Sequence, residues 1–246
     1  MVITSSDNPT FKKLKSLQTA KGRARHGLCI VEGEKIIFEN LELVDQIFLR
    51  EDIEVTPNLA DMQPIILSKK LFNEISDLET SPGIFATAQI PLTAKQSGRT
   101  PLAPTLILDR IQDAGNMGTL LRTAAAFGFN NILTINCVSP FSQKVLRAGM
   151  GNQFLLNISE ASFEDIKKIA NDFELIIADM NGTPLNETPL LNGNFALVLG
   201  NEGQGISKEL LDLPHAKITI PMQPGTESLN VAAAGAILMY ELKKGG

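Results

Sequence analysis

Apolar residues fall into two kinds of pattern along this chain. In "NPTFKKLKSLQ", Phe11, Leu14 and Leu17 recur at helical spacing with lysines around them, which predicts a short helix with one apolar face. From residue 27 the pattern changes to short apolar runs bounded by polar turns. "GLCIVEG" reads as strand, "EKIIFENLEL" as helix, "DQIFLRE" and "QPIILS" as strands, "KKLFNEISDL" as helix and "GIFATAQI" as strand. Together they predict a small α/β unit. The stretch "PLTAKQSGRTPLAP" then brings three prolines, a glycine and several polar residues, the composition of a linker. It predicts a boundary near residue 100, with one domain over 1–98 and another over 104–246.

The alternation restarts at Thr105. "TLILDR" reads as a buried strand, "MGTLLRTAAAFG" as helix, "NNILTINC" as strand, and "SQKVLRAG" and "FEDIKKIANDF" as helices. "ELIIADM" and "FALVLG" are strands, "ISKELLDL" a short helix, "AKITIP" a strand and "LNVAAAGAILMYELKK" the last helix. Continuous apolar strands alternating with helices indicate an α/β domain with a parallel sheet covered on both faces.

Composition narrows the class. The 246 residues are 43% hydrophobic and 20% charged, ordinary globular chemistry. No apolar run reaches the roughly 18 residues of a membrane span, and "MVITSSDNPTFKKLK" lacks the apolar core of a signal peptide. Cys29 and Cys137 lie far apart, and with two histidines no metal spacing arises. The expectation is a reduced, cytoplasmic protein without a metal. A net charge of −5 weighs against a nucleic-acid partner, but the charge is uneven. Between Asp7 and Glu32 there is no acid, while Lys12, Lys13, Lys15, Lys21, Arg23 and Arg25 all fall there. This segment is either a solvated helix face followed by a loop or a phosphate-contacting patch.

Ligands of open parallel sheets bind beyond the carboxyl ends of the strands. Three strand ends of the second domain carry unusual residues. In "LDRIQDAGNMGTLLRTAAAFGF", Asn116 suits a helix N-cap. Arg122 interrupts an apolar segment, either snorkelling or paired with a carboxylate, or gripping an anionic group with its planar fork. In "LVLGNEGQGIS", Gly200, Gly203 and Gly205 surround Asn201 and Glu202. More glycine than a tight turn needs suggests close approach of a ligand to backbone. The Gly-x-x-Gly-x-Gly spacing is wrong for a dinucleotide fingerprint, which argues against a nicotinamide-dependent oxidoreductase. In "ITIPMQPGTESLNVAAAGAIL", Thr226 or Ser228 could cap the last helix, leaving Glu227 and Asn230 unexplained. Ala232, Ala233, Ala234 and Gly235 leave a helix face nearly bare, so a helix, another subunit or a threaded segment must approach it.

The three loops, taken in order, resemble the signature motifs of the SpoU/TrmH branch of the SPOUT RNA methyltransferases. The matching residues are Asn116, Arg122 and "FG" at 127–128, then "GNEGQG" at 200–205, then "IPM" at 220–222 with "SLNVAAA" at 228–234. Ala114 stands where a proline is common. The segment "SSDNPTFKKLKSL…GLCIVEGEKII" is similar to the small, ribosomal-protein-like RNA-binding domain found ahead of that catalytic domain. The resemblance implies a SPOUT domain with a C-terminal trefoil knot, a homodimer through that domain, and an RNA partner. It implies transfer of a methyl group from S-adenosylmethionine to a ribose 2′-hydroxyl, with no metal. Asn116, Arg122, Glu202, Ser228 and Asn230 would surround the reacting hydroxyl, and Gly200, Ile220 and Leu229 would hold the donor. Lys12, Lys13, Lys15, Arg23 and Arg25 would bind RNA. A neutral guanidine is too rare to serve as a base, so Arg122 suits a phosphate clamp and alkoxide stabiliser better. That leaves the proton to Glu202 or to the RNA. The separate N-terminal domain favours ribosomal RNA. Transfer RNA, or a non-catalytic RNA-binding relative, is the alternative.

Overall fold

A computed structural model of the chain describes residues 2–91, 104–187, 194–225 and 227–243. Most of the linker stretch and Thr226 lie outside the described residues. The chain divides into two compact units. One comprises Met1–Pro91 together with Phe141–Phe154, and the other Leu92–Pro140 together with Leu155–Gly246.

The first unit runs β1 (Val2–Ile3), α1 (Pro9–Leu17), α2 (Ala20–His26), β2 (Leu28–Glu32), α3 (Glu34–Glu39), β3 (Val44–Arg50), α4 (Pro57–Ala60), β4 (Ile65–Leu67), α5 (Lys69–Ile75) and β5 (Ile84–Gln89). Its five-stranded sheet has the order β1-β4-β3-β5-β2, with β5 antiparallel to both β2 and β3. Strand alternation sorts the core into two faces. Leu28 and Ile30 join Phe11, Leu14, Leu17 and Phe72, while Cys29 and Val31 join Ile36, Ile37 and Ile47. Sequence order had put the helix α7 (Gln143–Ala148) in the second domain, but its contacts are with the first unit. Leu146 and Phe154 complete the second core face. Gln143 Nε2 donates to the Ile75 carbonyl at 3.1 Å, and Arg147 stands 3.8 Å from Asp77.

In the second unit, β6 (Thr105–Asp109), α6 (Ala114–Phe127), β7 (Asn131–Ile135), β8 (Asn157–Glu160), α8 (Phe163–Ile169), β9 (Glu174–Pro184), β10 (Phe195–Leu199), α9 (Lys208–Leu211), β11 (Ala216–Thr219) and α10 (Val231–Lys243) follow in sequence. The six strands pair in parallel in the order β11-β9-β10-β6-β7-β8, as the apolar runs predict. The edge strand β8 escaped the pattern reading because it is short and buries only two central residues. One sheet face packs Ile107, Ile135, Ile177 and Val198 with Ile166 of α8. On the other, α10 packs against α6 and β10. A Cβ on Gly235 would lie 2.5 Å from a Leu120 methyl and 2.8 Å from one of Leu199. The bare face of the last helix is therefore met by a helix and a strand end of the same unit.

Candidate active site

The first loop begins where β6 ends. Asp113, not Asn116, caps α6: its carboxylate accepts from the Asn116 backbone N–H at 2.7 Å. A cap must precede the N–H it serves by about two or three residues, and Asp113 occupies that place. The Asn116 side chain is thereby free for other partners. Its Nδ2 donates to Glu202 Oε1 at 2.9 Å, and its Oδ1 accepts from Asn230 Nδ2 at 2.9 Å. Asn230 in turn caps α10, its Oδ1 accepting from the N–H groups of Ala232 at 2.9 Å and Ala233 at 3.3 Å. Capping falls to Asn230, then, rather than to Ser228; Thr226 lies outside the described residues. One hydrogen-bonded chain, Glu202–Asn116–Asn230, links all three loops and orients both amides.

The glycine-rich loop closes on itself. Asn201 and Gly205 exchange backbone hydrogen bonds at 3.0 and 2.9 Å, and Asn201 Oδ1 accepts from the N–H groups of Gly203 and Gln204, both at 3.0 Å. A Cβ on Gly200 would lie 2.6 Å from the Gly205 carbonyl. Gly200 is thus required by the loop's own backbone, in addition to any ligand above it.

Beside this chain lies a cavity of about 380 Å³, lined by Gly200, Glu202, Ile220, Ser228, Leu229 and Asn230 among others. Six of the residues expected at the site therefore share one cleft, and Asn116 joins them by hydrogen bonds. Leu199, Ile206, Ile218 and Leu238 supply apolar walls. This is the usual make-up of a ligand pocket, apolar with a few placed polar groups. Sequence reading missed one wall. Lys217 pairs with Ile177 and Ile218 with Thr183, so residues 178–182 bulge from β9. Ala178, Asp179 and Met180 of the bulge line the cleft. Asp179 accepts from Lys217 Nζ at 2.8 Å, and this hydrogen bond holds its carboxyl below the ordinary carboxylate range. The Asn-Gly pair at 181–182 was the available signal, since it marks a turn inside an apparent strand.

Arg122 stands apart from the cleft. It is exposed on the α6 stripe of Gly115, Thr119, Arg122 and Ala126, and its side chain forms no ion pair or hydrogen bond among the described residues. No carboxylate pairs with it among the described residues.

The basic segment of the first unit divides differently from its sequence reading. The "loop" after α1 is the helix α2, with Thr19 as N-cap and Gly27 as a left-handed C-cap. Arg23 is only 6% exposed, and its Nη1 donates to the carbonyls of Leu17 at 3.0 Å and Gln18 at 3.1 Å. It closes the C-terminus of α1, so its assignment as an RNA contact is corrected to a structural one. Burial lowers its pKa from the ordinary arginine value. The lysines meet acids from elsewhere in the unit: Lys12 lies 2.9 Å from Asp7, Lys13 3.7 Å from Asp45 and Lys15 3.2 Å from Glu74. Lys21 and Arg25, one turn apart on α2, are exposed and form no ion pair among the described residues.

Comparison with known proteins agrees with this geometry. Residues 103–240 match the SpoU rRNA Methylase family, and residues 8–86 match the MRM3-like substrate binding domain. The chain is 32% identical to the 23S rRNA (guanosine(2553)-2′-O)-methyltransferase RlmP of Bacillus subtilis, with 98% of each chain covered. An RNA 2′-O ribose methyltransferase of solved structure superposes with a TM-score of 0.79 at 26% identity, covering 100% of this chain and 99% of that one. An AdoMet-bound rRNA methyltransferase from Sinorhizobium meliloti shares the fold, with a TM-score of 0.83 at 23% identity over 99% of this chain and 97% of that one. With three loops joined at one cleft and a family match over residues 103–240, more than half of the chain, this protein is a member of the SpoU rRNA methylase family.

Proposed function

We propose that the protein methylates a ribose 2′-hydroxyl of ribosomal RNA, using S-adenosylmethionine as donor. The observation that carries this reading is the Glu202–Asn116–Asn230 chain at the cleft that also holds Gly200, Ser228 and Leu229. The cleft fits the donor in its chemistry: apolar walls suit an adenine, and Asp179, Ser228 and the backbone at Gly200, Ile220 and Leu229 suit its polar parts. When bound, the donor supplies a methyl group already activated by its sulfonium. The residues of this chain orient and exclude. Asn116 and Asn230, locked by their partners, offer a rigid polar wall to an incoming hydroxyl. Glu202 uses Oε1 toward Asn116 and keeps Oε2 to accept the hydroxyl proton. Arg122, a planar guanidinium on an exposed face, clamps a phosphate and steadies the developing alkoxide.

The same reading includes a homodimer through the second unit. Its support is a set of exposed apolar residues, Leu229 just before α10 and Ile237 and Tyr240 on it, the last 50% exposed and in ring contact with Phe127 of α6 at 5.5 Å. A dimer formed across this face would bring Arg122 of α6 toward a cleft it does not reach in its own chain. The reading also includes a trefoil knot formed by the C-terminal segment, and a cytoplasmic setting, supported by two free cysteines. RNA binds the first unit, where Lys21 and Arg25 are exposed and form no ion pair among the described residues. Ribosomal RNA as the substrate class is supported by the match to a substrate binding domain and by the Bacillus subtilis relative. The test is site-by-site mapping of ribose methylation in cells lacking the protein, with transfer of a labelled methyl group to purified ribosomal RNA. Loss of one 2′-O-methyl mark in ribosomal RNA is expected. Loss in transfer RNA alone would overturn the substrate.

A further inference from the structure

Two residues outside the cleft bind its glycine-rich loop at both ends. Asp109, at the end of β6, is fully buried, and its Oδ2 accepts from the Ser207 N–H at 2.6 Å. The next residue, Arg110, has a positive φ of 57°, a conformation that costs a long side chain free energy. That conformation is held by four contacts. The Arg110 N–H donates to the Ile135 carbonyl at 2.8 Å, and its own carbonyl accepts from Asn201 Nδ2 at 2.8 Å. Its guanidinium reaches across to the loop, where Nη1 donates to Gln204 Oε1 at 3.0 Å and Nη2 to the Gly205 carbonyl at 3.2 Å. The buried Nε lies 3.3 Å from Asp109 Oδ1, an ion pair in which neither atom has another partner. Asn201, Gln204, Gly205 and Ser207 are thus all tied to two consecutive residues at the end of β6. Neither Asp109 nor Arg110 lines the cleft.

Strained backbone persists only where its surroundings over-determine it, and here every contact that does so ends on the loop carrying Gly200 and Glu202 or on the neighbouring strand. We propose that Arg110, backed by Asp109, is a positioning residue for methyl transfer: it clamps the Gly200–Ser207 loop so that the donor wall and Glu202 stand ready before either substrate arrives. The proposal rests on the donor reading of the cleft. Glycine adopts a positive φ without the penalty that arginine bears. Arg110→Gly therefore separates the clamp from fold stability, because it relieves the backbone while removing the guanidinium.

The experiment measures S-adenosylmethionine affinity by calorimetry and thermal midpoint for the wild-type protein, Arg110→Gly, Arg110→Lys and Gln204→Ala. Arg110→Gly should weaken the donor about ten-fold or more, the scale of lost hydrogen bonds from a charged group, with an unchanged or higher midpoint. Arg110→Lys, which keeps the charge without the fork, should fall between that variant and wild type. Gln204→Ala should show a smaller loss. Donor affinity within two-fold of wild type in Arg110→Gly would overturn the clamp. So would a midpoint that falls in step with affinity, since the residue would then be merely structural. A wild-type protein that binds no S-adenosylmethionine would overturn the donor reading of the cleft, a result distinct from both.

Discussion

In the first unit, Lys12, Lys13 and Lys15 each stand beside a carboxylate, and Arg23 lies buried against the end of α1. In the second, Glu202, Asn116 and Asn230 are bonded to one another and still border an open cleft. Both regions are dense in polar side chains. They differ in what is left over after folding. The basic segment spends most of its charge internally, and only Lys21 and Arg25 remain free among its lysines and arginines. The cleft spends just enough to fix each group, leaving a carboxylate oxygen and a lined space. A polar residue is available for function only if the fold does not already use it, and that depends on neighbours distant in sequence.

The sharpest way to break this comparison is Arg122. It is exposed and unpaired among the described residues, so Arg122→Ala should fold and bind donor normally. Single-turnover methyl transfer should nevertheless fall on the order of 100-fold, as when one oxyanion donor is lost, while Arg122→Lys retains measurable turnover. An Ala variant with the normal rate would show that a free cation on the second unit is no more functional than the lysines of the first.

Gly200→Val tests the opposite kind of residue, one consumed by the fold. Its side chain would strike the Gly205 carbonyl group, so the loop must shift. Donor affinity by calorimetry should drop roughly 10- to 100-fold, the scale of an overpacked site. Wild-type affinity would mean that the loop yields freely and does not build the cleft.

Within the basic segment, Arg23→Ala should destabilise the protein by about 1–3 kcal/mol in a denaturant titration, because two helix-end carbonyls lose their buried donor. Its effect on the salt dependence of RNA binding should be negligible. Replacing Lys21 and Arg25 with Gln should do the reverse, flattening the salt slope by up to about two units with an unchanged melting point. Neutralising Lys12, Lys13 and Lys15 should flatten it by less than the roughly three units that free cations would give. A full loss would restore the lysines to the RNA face.

The smallest effect is expected at the bulge. Asp179 is held below the ordinary carboxylate range chiefly by its hydrogen bond from Lys217. A lowered folded pKa means that its contribution is fully present above the ordinary carboxylate value and is lost as pH falls through the folded one. For a partly exposed pair at the surface that contribution is about 1 kcal/mol or less. Asp179→Asn should therefore lower the melting point slightly at pH 7 and leave it unchanged near pH 2. A larger difference at pH 2 than at pH 7 would reverse the assigned sign.

The sequence by itself determined the parallel sheet of the second unit and most strands and helices of both. Burial on two faces requires continuous apolar runs such as "TLILD" and "FALVL", and those are written locally. It also singled out three loops that the structure links by hydrogen bonds, because glycine, amide and acid at strand ends have few structural uses in such number. Tertiary structure alone decided the roles within them. Asn116 and Asn230 are both capping residue types, yet Asp113 relieves the first of that duty and only the second performs it. Phe141–Phe154 joined the first unit because its apolar face finds partners there, which chain order does not record. Arg23 and Arg25 are two residues apart in one basic run, and one is buried while the other faces water. A short-range pattern carries burial and helix or strand periodicity. Hydrogen bonds and ion pairs need a specific atom within about 3–4 Å, and the chain brings that atom from tens of residues away.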